Sequence, residues 1–479
     1  MHSVVVHCHF YQPPRDNPWS EVVEAEPAAA PFLDWNARIT HECYAPFGAA
    51  RILDPAGHIT GSLNLYEWVS FDAAPTLLRW METNAADVYH TILAADRASE
   101  RRTHHGNAIA TPFHHVILPL ASRRDKVTEV RWGLADFRRR FGRDAEGFWL
   151  PETAVDEETL VVLAEERIRF TILAPHQLEN AARDGGPLRF DAGGGRSVAV
   201  FVYDGGISGD AAFGRLLDDG EALVVRLAPS RESDASYDGP GGVTSLALDG
   251  ETFGHHRKFA EMALSSALTL LQQLPTVRVE NYAAVLARTP PAAAVRLVEP
   301  SSWSCPHGIE RWRSDCSCGI VAGRSHAWRR PLRAALNWLA RELDARYAAE
   351  AEQALRDASA ARAAYGGVAG ASRAERAAFA STQARGPRDA DRARVLLDGV
   401  RARLGMFSSC AWFFDDVGGH ETALMLRLAA YALDALGTPD LEREFLARLA
   451  DARTDDPALE DGATVYRTRV VPLRASGGA

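Results

Sequence analysis

Through residues 1–300, short apolar segments alternate with amphipathic stretches of helical length. This alternation restricts the chain to α/β architectures with parallel strands. Strands are expected over 3–7, 58–64, 108–117, 147–150, 169–174, 198–203 and 243–248, with helices over 76–98, 122–141, 155–166, 211–227 and 256–274. Such strands either close into a barrel or stay open as a doubly wound sheet. No glycine-rich GxGxxG fingerprint follows the first strand, which favours the barrel. Residues 301–330 break the pattern with a Cys/His/Trp-rich segment, and 331–479 reads as an α-helical domain that contributes to the cleft. The segment 229–242 reads as a surface loop, 345–395 as exposed helix with a flexible turn at 366–370, and the tail after 455 as loosely ordered.

Charge and apolar content bound the function. A net charge of −10 argues against a nucleic-acid partner. No apolar run approaches the roughly 20 residues that span a bilayer. The opening MHSVVVHCHF lacks a charged start and reads as a first strand rather than a signal peptide, so a cytoplasmic protein is expected. Its six cysteines are then thiols or metal ligands. Oligomeric state is not encoded in any recognisable pattern.

Two carboxylates stand at strand ends. Glu152 lies in GFWLPETAVD (147–156) and Asp249 in VTSLALDGETFGHH (243–256). Parallel barrels deliver their chemistry at the C-terminal mouth of the strands. Two acids on different strands suit glycoside cleavage, one as nucleophile and one as acid/base. The plainer alternatives are a helix-opening acid at Glu152 and a turn or cap acid at Asp249. Trp149 beside Glu152 is expected to form a floor on which a sugar ring stacks. Glu251, His255 and His256 follow Asp249 closely. In HCHFYQPPRDNPW (7–19), His7 and His9 share one strand face, and Gln12, Arg15, Asn17 and Trp19 follow in a proline-stiffened loop. A His-x-His pair is either a metal half-site or a set of donors for a polar ligand.

These segments resemble glycoside hydrolase family 57. The resemblance rests on His7, His9, Gln12 and Pro13, on the Trp-x-Pro-Glu segment ending in Glu152, on Asp249, Glu251, Phe253, Gly254 and His255, and on His115 and Leu120 in TPFHHVILPLA. It implies a (β/α)7 barrel of the glycoside hydrolase/deacetylase type with a C-terminal α-helical domain, and retaining chemistry on α-linked sugars. It further implies Glu152 as nucleophile, Asp249 as acid/base and no catalytic metal. His7, His9, His115 and His255 would bind substrate hydroxyls or tune the carboxylates. The acidic residue usual before the family's second-block histidine is absent, Ala110 and Thr111 standing there. The later segments resemble an uncharacterised amylase- or mannosidase-like subgroup with its own helical domain. A metal-dependent carbohydrate deacetylase and a non-catalytic carbohydrate-binding protein are the alternatives. The deacetylase would require His7, His9 and a carboxylate to converge at metal-bonding distance.

Two further segments carry expectations. Cys305, His307, Cys316 and Cys318 form C-x-H-x8-C-x-C. Two readings are open, a closed structural zinc site or buried free thiols. In the first, the metal would pin the barrel to the helical domain while Trp303 and Arg311 approach the cleft. In WFFDDVGGHE (412–421), Trp412, Asp415 and Asp416 are expected at substrate subsites, against the alternative of an aromatic core stripe with a capping aspartate.

Overall fold

A computed structural model of the chain describes residues 1–54, 56–180, 185–228, 242–291, 293–321 and 323–476. The expected loop 229–242 lies outside the described residues, except for Gly242.

The first strand, His2–Phe10, pairs in parallel with Val243–Asp249 along one edge. Along its other edge it pairs first with Val277–Val279 and then with Ser70–Ala73. Ser70–Ala73 pairs with Ala108–Ile109. Two single parallel bridges, Ala110 to Phe148 and Gly147 to Phe170, carry the circuit through 147–150. Phe170–Leu173 then pairs with Arg196–Val202. The Asp204 amide donates to the Ser245 carbonyl at 2.7 Å, which returns the circuit to Val243–Asp249. The result is a (β/α)7 barrel. Side chains alternate accordingly. Val4, Val6, Cys8 and Phe10 join the core shared with the surrounding helices, while Val5, on the opposite face with His7 and His9, packs with Trp149, Phe170 and Phe201.

The jacket helices carry ordinary punctuation. Arg123–Phe141, for example, opens on the Ser122 side chain accepting from the Asp125 amide and closes on left-handed Gly142. Its outer face meets the C-terminal domain, whose main helices are Arg329–Ala354, Ala390–Gly405 and His420–Leu436. Their apolar core also takes in Phe113, Ile117 and Trp132 of the barrel and Cys305, Ile309, Trp312 and Cys316 of the connecting segment. No helix among the described residues is long and apolar enough to cross a membrane.

One buried ion cluster locks the two halves together. Asp125 accepts from Arg362 at 2.8 Å and Arg403 at 2.6 Å, and Arg403 also reaches Asp344 at 2.6 Å. Burial alone would raise the Asp125 carboxyl, but the arginines outweigh it and hold it below the usual carboxylate range. Replacing Asp125 with alanine strands two buried guanidinium groups and is expected to cost about 3–5 kcal/mol in chemical denaturation. A depressed folded-state value means that this stability is present above the unfolded value and is lost as pH falls through the folded one. The difference between wild type and variant should therefore shrink below about pH 4.

The architecture departs from expectation in several places. The segment 58–64 is no barrel stave: Ile59–Leu63 forms an antiparallel hairpin with Ala50–Leu53, and Ser70–Ala73 takes the stave position. Strand propensity does not specify a partner. The strand expected over 108–117 ends at Ile109, because Pro112 offers no donor to a ladder. The turn expected at 366–370 is the short helix Gly366–Ala369, whose Gly366 lies so close to Trp132 that a Cβ would sit 2.7 Å from that residue. The tail forms helices Gly462–Arg469 and Val471–Ser476, and Val465 and Tyr466 anchor it in the core.

Candidate active site

At the C-terminal mouth, three parallel strands align Asp72, His9 and Asp249 side by side in register. His9 Nδ1 lies 2.9 Å from Asp72 and its Nε2 lies 3.1 Å from His115 Nε2. His7 reaches the other Asp72 oxygen at 3.3 Å and Ser70 Oγ at 3.1 Å. His115 Nδ1 continues the chain to Ser409 Oγ, 2.7 Å away in the C-terminal domain.

The proton positions follow from this chain. Burial works against a charge on His9, but Asp72 foremost, then Asp249 and Glu251, push its imidazole up to about 9. His9 is therefore an imidazolium donating from both nitrogens. His115 must then accept at Nε2 and donate from Nδ1 to Ser409. Burial, reinforced by the His9 charge, lowers His115 well below its ordinary value and keeps it neutral. Burial likewise lowers His7 despite Asp72. Replacing Asp72 with asparagine removes the strongest acid support for the His9 charge. The His9 ring, followed by NMR, is expected to titrate more than about one unit lower.

Glu152 sits on a strained turn. It adopts φ 58° and Thr153 φ 48°, two consecutive side-chain-bearing residues in the left-handed region. Such positions cost on the order of 1–3 kcal/mol each and cluster at functional sites. Gln177 staples the turn: its Oε1 accepts from Thr153 Oγ1 at 2.7 Å, and its Nε2 donates to the Thr153 carbonyl at 2.8 Å. Residues 301–303 run antiparallel to this turn through paired Ser301–Val155 amides, and the Trp303 amide donates to the Glu152 carbonyl at 2.9 Å. This places two donors on Glu152 Oε2, the Trp303 indole at 3.0 Å and Ser304 Oγ at 2.7 Å. Oε1 has no donor among the described residues.

Asp249 is placed differently. Its side chain is open to the cleft, yet protein walls surround it and leave little bulk water around the carboxyl. That desolvation, with the Glu251, Glu152 and Asp72 charges, pushes it up to about 7, and His9 restrains the rise. Glu251 is buried behind it and accepts from the Tyr11 amide at 3.2 Å and from the Tyr44 hydroxyl. Burial raises its carboxyl, which braces the loop. Gly254, at φ 119°, passes so close to the Glu42 carbonyl that no side chain fits. Tyr11 stacks on His115 at 3.8 Å and donates to Cys410 Sγ at 3.3 Å, so the C-terminal domain closes this side of the cleft.

The structure thus gathers Glu152, Asp249, His7, His9, His115, Glu251 and Trp303. Gln12 lies just behind them, donating to Tyr44 at 3.3 Å and accepting from Arg15 at 3.1 Å. Other expected residues lie elsewhere. Trp149 is fully buried beneath His7 and His9, 4.6 and 5.4 Å from their rings, so it supports the histidines rather than a sugar. Trp19 donates to Asp434 at 2.8 Å on the helical domain. His255 pairs with Glu42 against the edge of Trp35. Trp412 is no subsite: it is fully buried, donates to the Arg329 carbonyl at 3.2 Å, and carries the Arg333 guanidinium 3.7 Å above its ring. Asp415 is consumed by the Ile320 and Val321 amides and His326. Asp416 is consumed by Thr454 and the Asp455 and Gly418 amides. Arg311 lies over Phe413 at 4.4 Å, away from the carboxylates. Sequence reasoning missed Asp72, Tyr11, Ser304 and Ser409. Only Asp72 left a signal, as the acid in SFDA, one residue before the strand ends and three before a proline-opened helix.

His7 and His9 each hydrogen-bond to Asp72, on different oxygens, and the three do not bring one ligand atom apiece within 4.8 Å of one another. Among the described residues, the group whose donor atoms all lie within 4.8 Å of one another is Cys305, His307, Cys316 and Cys318. A surface depression of about 610 Å³ lined by Arg123, Glu157, Glu299 and Arg313 includes none of the carboxylate or histidine residues of the mouth.

Known proteins resemble this arrangement. The model of Glycosyl hydrolase family 57 matches residues 57–297, and that of a domain of unknown function, DUF3536, matches 325–477. The 4-alpha-glucanotransferase of Thermococcus litoralis is 23% identical over 248 residues, 48% of this chain but only 35% of that relative's length. The exo-type maltose-forming amylase of Pyrococcus sp. ST04 superposes with a TM-score of 0.73 at 15% identity, over 99% of this chain and 94% of its own. A GH57-type branching enzyme from Pyrococcus horikoshii superposes at 0.54 with 13% identity, over 98% and 96%. At these identities the superpositions speak to the fold alone.

Proposed function

Since the chain belongs to glycosyl hydrolase family 57, we propose that it is a retaining glycosidase or transglycosidase acting on an α-linked glucan. One observation carries the reading: two carboxylates share the barrel mouth in opposite environments. Glu152 is oriented by two donors on one oxygen, and Asp249 is desolvated and largely protonated just below neutrality. Paired acids held apart in this way divide nucleophile from general acid. The glucan assignment follows the named activities of the glucanotransferase and the maltose-forming amylase.

In the first step Glu152 Oε1 attacks the anomeric carbon. The glycosidic C–O bond breaks, and Asp249 gives its proton to the departing oxygen. In the second, ionised Asp249 takes a proton from water or from an acceptor hydroxyl. That oxygen attacks the same carbon, and Glu152 leaves. His9, between Asp72 and Asp249, keeps a positive charge beside the acid through both steps. These steps use side chains of this chain alone. A cytoplasmic location belongs to the same proposal, because six free cysteines fit a reducing compartment. Incubation with maltooligosaccharides, with products resolved by chromatography and anomers followed by proton NMR, tests the reading. It expects new glucan lengths released first as the α-anomer. Initial release of the β-anomer would refute double displacement.

A further inference from the structure

We propose that Cys305, His307, Cys316 and Cys318 bind one zinc ion, and that the metal fixes the loop that presents Trp303 and Ser304 to Glu152. The site stands on its own geometry. The second half rests on reading Glu152 as the nucleophile.

The four donor atoms all lie within 4.8 Å of one another, at the spacing of a four-ligand site. Cys305 Sγ is 3.6 Å from both Cys316 Sγ and Cys318 Sγ. His307 Nδ1 is 3.2 Å from Cys316 Sγ and 3.5 Å from Cys318 Sγ. Zinc held at about 2.3 Å by sulfur and about 2.05 Å by nitrogen requires edges of about 3.8 Å and about 3.6 Å. The observed edges lie within a few tenths of these. A disulfide would engage two sulfurs at about 2.05 Å and leave the third and the imidazole facing it without purpose. Cys305 and Cys316 are buried, while Cys318 is half-buried and His307 exposed, so a metal has a route in. Three thiolates and one imidazole in a closed tetrahedron select zinc in a structural role.

The ligands frame an otherwise irregular loop. Between Ser304 and Cys318 the only regular structure is the single turn Glu310–Trp312. On one side, residues 301–303 pair with the Glu152 turn, two residues before the first ligand. On the other, Arg329 donates to the Cys316 carbonyl at 3.2 Å, and Asp415 grips the Ile320 and Val321 amides. The aromatic–acidic segment 412–416 is therefore a cradle for this loop. Without a metal, the path from Ser304 to Cys316 is held only by hydrogen bonds, such as Ser302 Oγ to the Gly308 carbonyl at 2.6 Å and Arg333 to the Trp312 carbonyl at 2.8 Å, and the two donors on Glu152 lose the anchor at Cys305.

The test uses the full chain, purified from zinc-supplemented cells under reducing conditions. About one zinc per chain is expected by elemental analysis. Exchange for cobalt should produce the visible d–d bands of tetrahedral thiolate coordination. Glu152→Gln should hold the same zinc, so failure of the nucleophile reading leaves this part standing. Cys316→Ser should lose the metal. Because that variant could misfold, the wild type is also stripped with a chelator and reloaded. Stripping is expected to speed hydrogen exchange over residues 301–318 and to lower turnover on the order of 10- to 100-fold, both restored by zinc. Substoichiometric zinc with no cobalt bands, or a disulfide between two of the cysteines, would overturn the site. Bound zinc whose removal changes neither exchange nor turnover would overturn the coupling to Glu152.

Discussion

Replacing Glu152 with glutamine is expected to lower turnover of an α-1,4-linked glucan on the order of 10⁴- to 10⁶-fold while leaving the fold intact, because removal of a covalent nucleophile removes the reaction path itself. Glutamine keeps the shape of the side chain. Its amide oxygen still accepts from the Trp303 indole and Ser304, so the strained turn and the 301–303 pairing have no reason to move. Circular dichroism and thermal melting should therefore match the wild type. What is lost is an anionic oxygen facing the anomeric carbon. A residual rate within about tenfold of wild type would assign the nucleophile elsewhere.

The Asp249→Asn variant is expected to lose on the order of 10²- to 10⁴-fold on glucans, the usual contribution of a general acid. The loss should be far smaller on an aryl glycoside, whose leaving group departs without a proton. The pH profile gives an independent check. An acid pushed up to about 7 is protonated below that value and empties above it. The wild-type rate of glycoside cleavage should then fall as pH rises through about 7 on glucans. On an aryl substrate that alkaline limb should flatten. An alkaline limb identical for both substrates would mean that some other group limits the rate.

The barrel and its two acids are readable because their signals are local. An apolar run that stops at Pro-Glu or Asp-Gly-Glu describes a strand and its mouth within ten residues, and 147–150 is correctly placed although it makes only single bridges. The misplacements come from features that only tertiary contact decides. Ile59–Leu63 is strand as expected, but its partner is a neighbouring hairpin arm. Asp72 is nearly silent because its strand has four residues and its role depends on His9 lying across the ladder. Trp149 and Trp412 sit beside acids, as sugar platforms often do, yet each is fully buried. An aromatic next to a carboxylate carries no information about which way the ring faces. The segment 405–421 is legible as a wall of the cleft, but Ser409 and Cys410 carry no individual signal, since they reach the mouth through His115 and Tyr11, some 300 to 400 residues earlier in the chain.

That last contact sets a timetable for the newborn chain. Synthesis runs from the first strand onward, so the barrel and both acids leave the ribosome before the residues that complete the cleft. Ser304 supplies a donor to Glu152, and Ser409 receives the proton of His115. At ordinary elongation rates the second follows the first by roughly 5 to 20 s. During that interval the barrel stands with its histidine row capped on one side only. The residues that complete the cleft are thus the last part of the mouth to be synthesised.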